Sequence, residues 1–146
     1  MRKVHRDSGK EKEAKERTLK VYLAAKYERR LEICTYRDNV RAIGSHEVTS
    51  RWLDGEEHKD VAALQMYARR DLEDIWKADL LIAFTEDPET LQPRGGRHFE
   101  AGYAHAHHKE VWLLPFREHI FHWLPEARLF SEWEECLVEL ANRKHL

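Results

Sequence analysis

Cysteine is scarce in this chain: two residues of 146, Cys34 and Cys136, in no metal-ligand spacing. That excludes a disulfide-stapled scaffold and predicts reduced thiols in a cytoplasmic protein. Long apolar runs are missing too. The longest, residues 80–84 and 111–116, are far too short to span a bilayer, so no membrane partner is expected. No apolar segment follows the first basic residues, and a secretory signal is therefore not expected. Glycine is sparse, at six residues. No G-x-G-x-x-G follows the first apolar run, where Ala24-Ala25-Lys26-Tyr27 stands, and no G-x-x-x-x-G-K-[ST] occurs. The dinucleotide and P-loop classes lose their phosphate cradles with those motifs, and no cofactor is expected. An excess of one charge sign is lacking as well. Lys+Arg total 25 against Asp+Glu 27, for a net charge of -2, which speaks against a nucleic-acid polymer as partner.

What is present is one domain's length with 42% hydrophobic and 36% charged residues, enough for a core under a densely charged surface. Residues 1–20 hold eight Lys/Arg against four Asp/Glu and no apolar stripe, so they read as a mobile basic tail. Residues 21–146 read as the folded domain. Apolar periodicity and stop signals predict strands at 21–24, 46–52, 79–85, 110–114 and 128–130. Helices are predicted at 27–43, ended by Gly44, and at 58–77, 97–108 and 132–143. Strand and helix alternate about five times, which gives an α/β three-layer sandwich around a parallel sheet. The expected strand order is 2-1-3-4-5, with 79–85 central and ligands bound beyond the carboxyl ends of the strands.

Two stretches stand out in that frame. In the helix at 58–77, Leu64, Ala68, Leu72 and Ile75 form an apolar stripe, and Asp71 falls within it, about 20° outside Leu64 and about 40° from Ile75. An inward carboxylate must be paired, hydrogen-bonded or kept protonated. An ion pair with an arginine such as Arg51 is one solution and a catalytic acid another, while Asp74 lies on the flank. The second stretch is Arg94-Gly95-Gly96-Arg97-His98-Phe99-Glu100-Ala101-Gly102-Tyr103. Its paired glycines let backbone approach a ligand, and the following helix aims free N–H groups at it. Glu100 is expected in the first helical turn, as an active carboxylate or as a surface complement to the helix dipole. Gly102 suggests tight packing, and Arg94 and Arg97 suit a phosphate or the acids at 86–89. Trp52, after a strand, can stack on a base. His105, His107 and His108 do not share one helix face, so no metal is expected there. His119 and His122 face a ligand loop and stay open.

Three motifs in order now carry a resemblance. Val21-Tyr22-Leu23-Ala24, Arg70-Asp71-Leu72 before Ala78-Asp79-Leu80-Leu81-Ile82-Ala83-Phe84, and Gly96-Arg97-His98-Phe99-Glu100-Ala101-Gly102-Tyr103-Ala104 together resemble the nucleoside 2-deoxyribosyltransferase superfamily, over residues 21–140. That superfamily includes deoxynucleoside-monophosphate N-glycosidases. The resemblance implies a flavodoxin-like fold and cleavage of an N-glycosidic bond with retention. It implies Glu100 as nucleophile, Asp71 as the carboxylate near the base and Tyr22 as the phenol orienting the nucleophile. Lys26, Trp52, Asp74, Arg94, Gly96, Arg97 and His98 are the candidate substrate-binding residues. The family's glycine-bearing first loop is here replaced by one with Lys26, Arg29 and Arg30, whose charge suits a nucleotide over a free nucleoside. The partner expected is a small nucleoside or nucleotide.

A phosphoribohydrolase of the lysine-decarboxylase-like type fits less well, because Gly95-Gly96 lacks that motif's later Gly-Thr. A non-catalytic nucleotide-sensing module on the same fold is the alternative of another class. The aromatic stretch 116–123 is too apolar for a monomer's surface and predicts a homodimer or higher oligomer. Family members complete their sites across a subunit boundary, which the resemblance extends to this chain.

Overall fold

The computed structural model describes residues 18–90 and 95–143. The sequence-based tail lies outside the described residues up to position 17, as does Arg94. The chain then runs β1 (Lys20–Ala24), α1 (Arg30–Ala42), β2 (Glu47–Val48), α2 (Val61–Lys77), β3 (Leu80–Phe84), α3 (Gly96–Ala106), β4 (Glu110–Leu114), β5 (Ala127–Leu129) and α4 (Trp133–Arg143). The five strands form one parallel sheet in the order β2-β1-β3-β4-β5. Helices α2 and α3 pack together on one face of the sheet and α1 and α4 on the other. This is the expected flavodoxin-like α/β sandwich. Strand β3 sits in the middle with all five residues buried, which is why it reads as an unbroken apolar run rather than an alternating one. Leu80 stands opposite both Val21 of β1 and Glu110 of β4, so the carboxyl ends of three strands open onto one crevice.

The elements depart from expectation where a side chain captures the backbone. The helix expected at 27–43 begins as a 3-10 turn, Tyr27–Arg29, and becomes α-helical at Arg30. Strand 46–52 shrinks to Glu47–Val48. Ser50 Oγ accepts the N–H of Leu23 at 2.7 Å, and Trp52 Nε1 donates to the Leu23 carbonyl at 2.7 Å. These two side chains take over the groups that further strand pairing would have used, and the chain turns into a 3-10 segment, Arg51–Asp54. Helix α2 starts at Val61 and not at 58, because the Asp60 carboxylate caps it by accepting the N–H of Ala63 at 2.9 Å. Its buried face is also rotated. Ala63, Tyr67, Asp74 and Ile75 point inward, whereas Leu64 is 49% exposed. Across the sheet, buried His46 accepts the N–H of Leu19 at Nδ1 (3.1 Å), and its Nε2–H donates to the carbonyl of Leu140 at 2.7 Å. The first strand and the last helix are joined through one imidazole.

Candidate active site

Tyr22 lies mid-strand in β1, fully buried, and its hydroxyl donates to Glu100 Oε2. Glu100 comes from α3, whose start at Gly96 puts this residue in the second turn instead of the expected first. It is therefore no dipole complement at a helix end. Its side chain points back at the sheet, into a cleft of ≈ 190 Å³ shared with Lys26, Trp52, Glu56, Asp71 and Arg97. Gly96 also lines this cleft, and a Cβ there would meet nothing within 4 Å among the described residues. Gly102 likewise has open space around it and is exposed, so the tight packing expected there is absent; it lies on the outward face of α3.

Proton affinities in the cleft are displaced in one direction. Burial pushes the Glu100 carboxyl up to about 8, against the opposing hydrogen bond from Tyr22 and with help from the Asp71 and Glu56 charges. Burial pushes Asp71 up to about 6, partly offset by Arg70, whose Nε and Nη2 reach Asp71 Oδ1 at 3.3 and 3.2 Å. The Tyr22 phenol is raised well above its ordinary range by burial first and then by the Glu100 charge. Two carboxyl groups exchanging protons near neutrality inside one cleft are the equipment of acid–base and nucleophilic chemistry.

Of the other candidates, Lys26 and Trp52 line the cleft. Arg97 does too, with its guanidinium held by Glu118 at 2.5 Å in a buried pair. Asp74 does not. Its carboxylate is 3% exposed and takes both the backbone N–H and the guanidinium of Arg51 at 2.8–3.0 Å, so it anchors the turn after β2. The arginine considered for Asp71 thus belongs to Asp74, one helical turn on. His98 turns away from the cleft onto His119. The extra charge of the first loop is mostly spent internally. Arg29 pairs with Glu32 and Glu86, Lys26 with Glu86, and Arg30 donates to the Leu53 carbonyl.

Glu56 and Glu118 escaped sequence reasoning. Glu56 lines the cleft, lies 3.5 Å from Arg70 and donates its N–H to the Tyr27 hydroxyl at 3.0 Å. Its place in the loop beyond β2, at the ligand end of the sheet, was the available signal. Glu118 had none, since its role rests on a partner 21 residues away.

No family model and no curated protein matches the chain. Among solved structures, a conserved protein from Enterococcus faecalis superposes with a TM-score of 0.64 at 16% identity, covering 87% of this chain and 99% of its own. A 2-deoxyribosyltransferase from Bacillus psychrosaccharolyticus gives 0.64 at 23% identity over 83% of this chain and 95% of its own. A CMP N-glycosidase from Clostridium botulinum gives 0.53 at 21% identity, with 83% and 97% covered. At these identities the likeness establishes a shared fold.

Proposed function

We propose that this chain is an enzyme that cleaves the N-glycosidic bond of a 2-deoxyribonucleoside or its 5′-monophosphate and passes the sugar to water or to a second base. The observation that carries the reading is the hydrogen bond from the Tyr22 phenol to Glu100 inside a cleft that also holds Asp71. The fold shared with a deoxyribosyltransferase and a CMP N-glycosidase supports it.

In the first step the ionised Glu100 carboxylate attacks C1′. The C1′–N bond breaks, its electron pair leaves with the base, and the protonated Asp71 supplies the proton that the base takes up. Tyr22 holds Glu100 in place and restrains its charge until positive charge develops at C1′. In the second step water or another base attacks C1′ and the ester to Glu100 breaks, while the Asp71 carboxylate accepts the proton of the attacking group. Trp52 offers a surface for the base, and the open turn at Gly96 leaves room for the sugar.

The test is mass spectrometry of the protein after exposure to a slow-leaving 2-fluoro-2-deoxyribosyl nucleoside, alongside base release from deoxynucleosides and their monophosphates. One deoxyribosyl-type adduct on Glu100 is expected, with no base release by Glu100→Ala. An adduct on another residue, or full activity in Glu100→Ala, overturns the assignment. Nucleotide binding without base release would instead identify the sensing module.

A further inference from the structure

A second cavity of ≈ 510 Å³ opens on the outer side of α3, away from the Tyr22–Glu100 pair, between Phe99, Ala101 and Gly102 of the helix and Phe121 of the following loop. Its polar lining is imidazole. His98 Nδ1 and His119 Nε2 are 3.1 Å apart, and the His119 and His122 rings lie 3.8 Å between centroids. One ring nitrogen from each of His98, His119 and His122 falls within 4.8 Å of the other two. Two buried nitrogens of this cluster, His119 Nδ1 and His122 Nε2, have no hydrogen-bond partner among the described residues. Orphaned buried polar atoms are uncommon in folded proteins and call for a missing partner.

We propose that His98, His119 and His122 form a binding site for one divalent cation of the zinc class, with water in the fourth position facing the apolar cavity. Three imidazoles and an open position suit such an ion. Zn–N bonds of about 2.0–2.1 Å in tetrahedral array set ligand nitrogens about 3.3 Å apart, close to the His98–His119 spacing. Glu118 Oε1 lies 3.9 Å from His98 Nε2, beyond hydrogen-bond reach, and is held by Arg97 at 2.5 Å. Two contacts must yield: the His98–His119 hydrogen bond, whose proton shifts to the other nitrogen of its own ring, and one at His122. His122 Nδ1 accepts the Glu118 N–H at 2.9 Å, which puts its proton on Nε2. Metal uptake moves that proton to Nδ1 and gives up the amide bond, a loss that zinc–imidazole bonding exceeds. The ion then ties the first turn of α3 to the loop after β4, the same two segments that Arg97 and Glu118 join. This site stands independently of the proposed reaction.

The test is titration of the full, untagged, chelator-stripped chain with zinc chloride by calorimetry, and with cobalt chloride by visible absorption. One zinc per chain at micromolar affinity or better is expected, with the intense d–d bands of four-coordinate cobalt. His119→Ala and His122→Ala should each weaken zinc by at least about tenfold, the lower end of what losing even a ligand's hydrogen-bond partner costs. His107→Ala, on another side of the helix, should not. Less than one equivalent of zinc, only weak six-coordinate cobalt bands, or unchanged affinity in both variants overturns the site. The wild-type cobalt spectrum decides alone if circular dichroism finds the variants unfolded.

Discussion

Glu100 and Asp71 gain proton affinity by the same route, loss of water, and the proposed reaction requires opposite forms of them: an ionised nucleophile and a protonated acid. With Asp71 near 6 and Glu100 near 8, the reactive combination is a minority state whose abundance peaks between those values. A bell-shaped kcat/KM with limbs at about 6 and about 8 is expected. Asp71→Asn leaves an acid position that no longer titrates, so the alkaline limb should vanish and the residual rate climb to a plateau with Glu100 ionisation. That ionisation should fall below 8, because the Asp71 charge helps to raise it. An unchanged bell in the variant would contradict the roles given to these two groups. Stability follows from the same displacement. The native chain keeps a Glu100 proton that the unfolded chain has lost above the ordinary glutamate range, so stability falls as pH rises from there towards 8. Glu100→Gln should be more stable than the native chain at pH 8 by about 1–3 kcal/mol, well short of the full shift because the cleft opens to water. The gain should disappear near pH 4, as measured by urea unfolding. Asp71 drew attention from sequence as a charge among apolar positions, although the stripe that framed it is not the face that α2 buries. Glu56 and Glu118 drew none, because acids in polar loops are ordinary.

Among the elements, the short ones were decided by single side chains. Strand β2 ends after two residues because Ser50 and Trp52 bond to Leu23, which no periodicity reveals. His46 plays a comparable part between β1 and α4, with both ring nitrogens engaged and the residue 4% exposed. His46→Ala would orphan a buried N–H and a buried carbonyl at once. A loss of about 2–4 kcal/mol is expected from denaturant midpoints, since each orphan costs about 1–3 kcal/mol and water reaches the shallower end. A loss under about 0.5 kcal/mol would mean that the two elements hold together without the imidazole. Helix α2 shows why its register was misjudged. Leu64 and Leu72 look like core residues, but the face turned to the sheet is the one bearing Tyr67, Asp74 and Ile75, with Asp74 neutralised by Arg51.

For the whole molecule, the unusual surface is the loop after β4. Ile120, Phe121 and Trp123 are 76%, 61% and 71% exposed, and Phe99 of α3 is 67% exposed. An isolated soluble chain rarely leaves so many large apolar side chains in water. The expected outcome is a homodimer in sedimentation velocity at micromolar concentration. Trp123→Asp should raise its dissociation constant by at least about tenfold, or about 1.4 kcal/mol. A wild-type monomer at that concentration would refute this.

The sequence by itself determined the alternation of buried strand and amphipathic helix. From that followed the parallel sheet and the two-sided burial of Leu80–Phe84, because residue type and spacing decide which segments can be covered on both faces. Asp71 and Glu100 could be singled out for the same reason, each breaking or closing a local pattern. The order 2-1-3-4-5 is one of two common for such alternation, and the tertiary structure decides between them. Only the tertiary structure decided which groups share the cleft. The Tyr22 hydroxyl meets a carboxylate 78 positions away, Arg51 goes to Asp74 and not to Asp71, and His98 leaves the cleft for His119. Side-chain partners are chosen by distance in three dimensions after the backbone has packed, and that distance is not written in any local stretch of the chain.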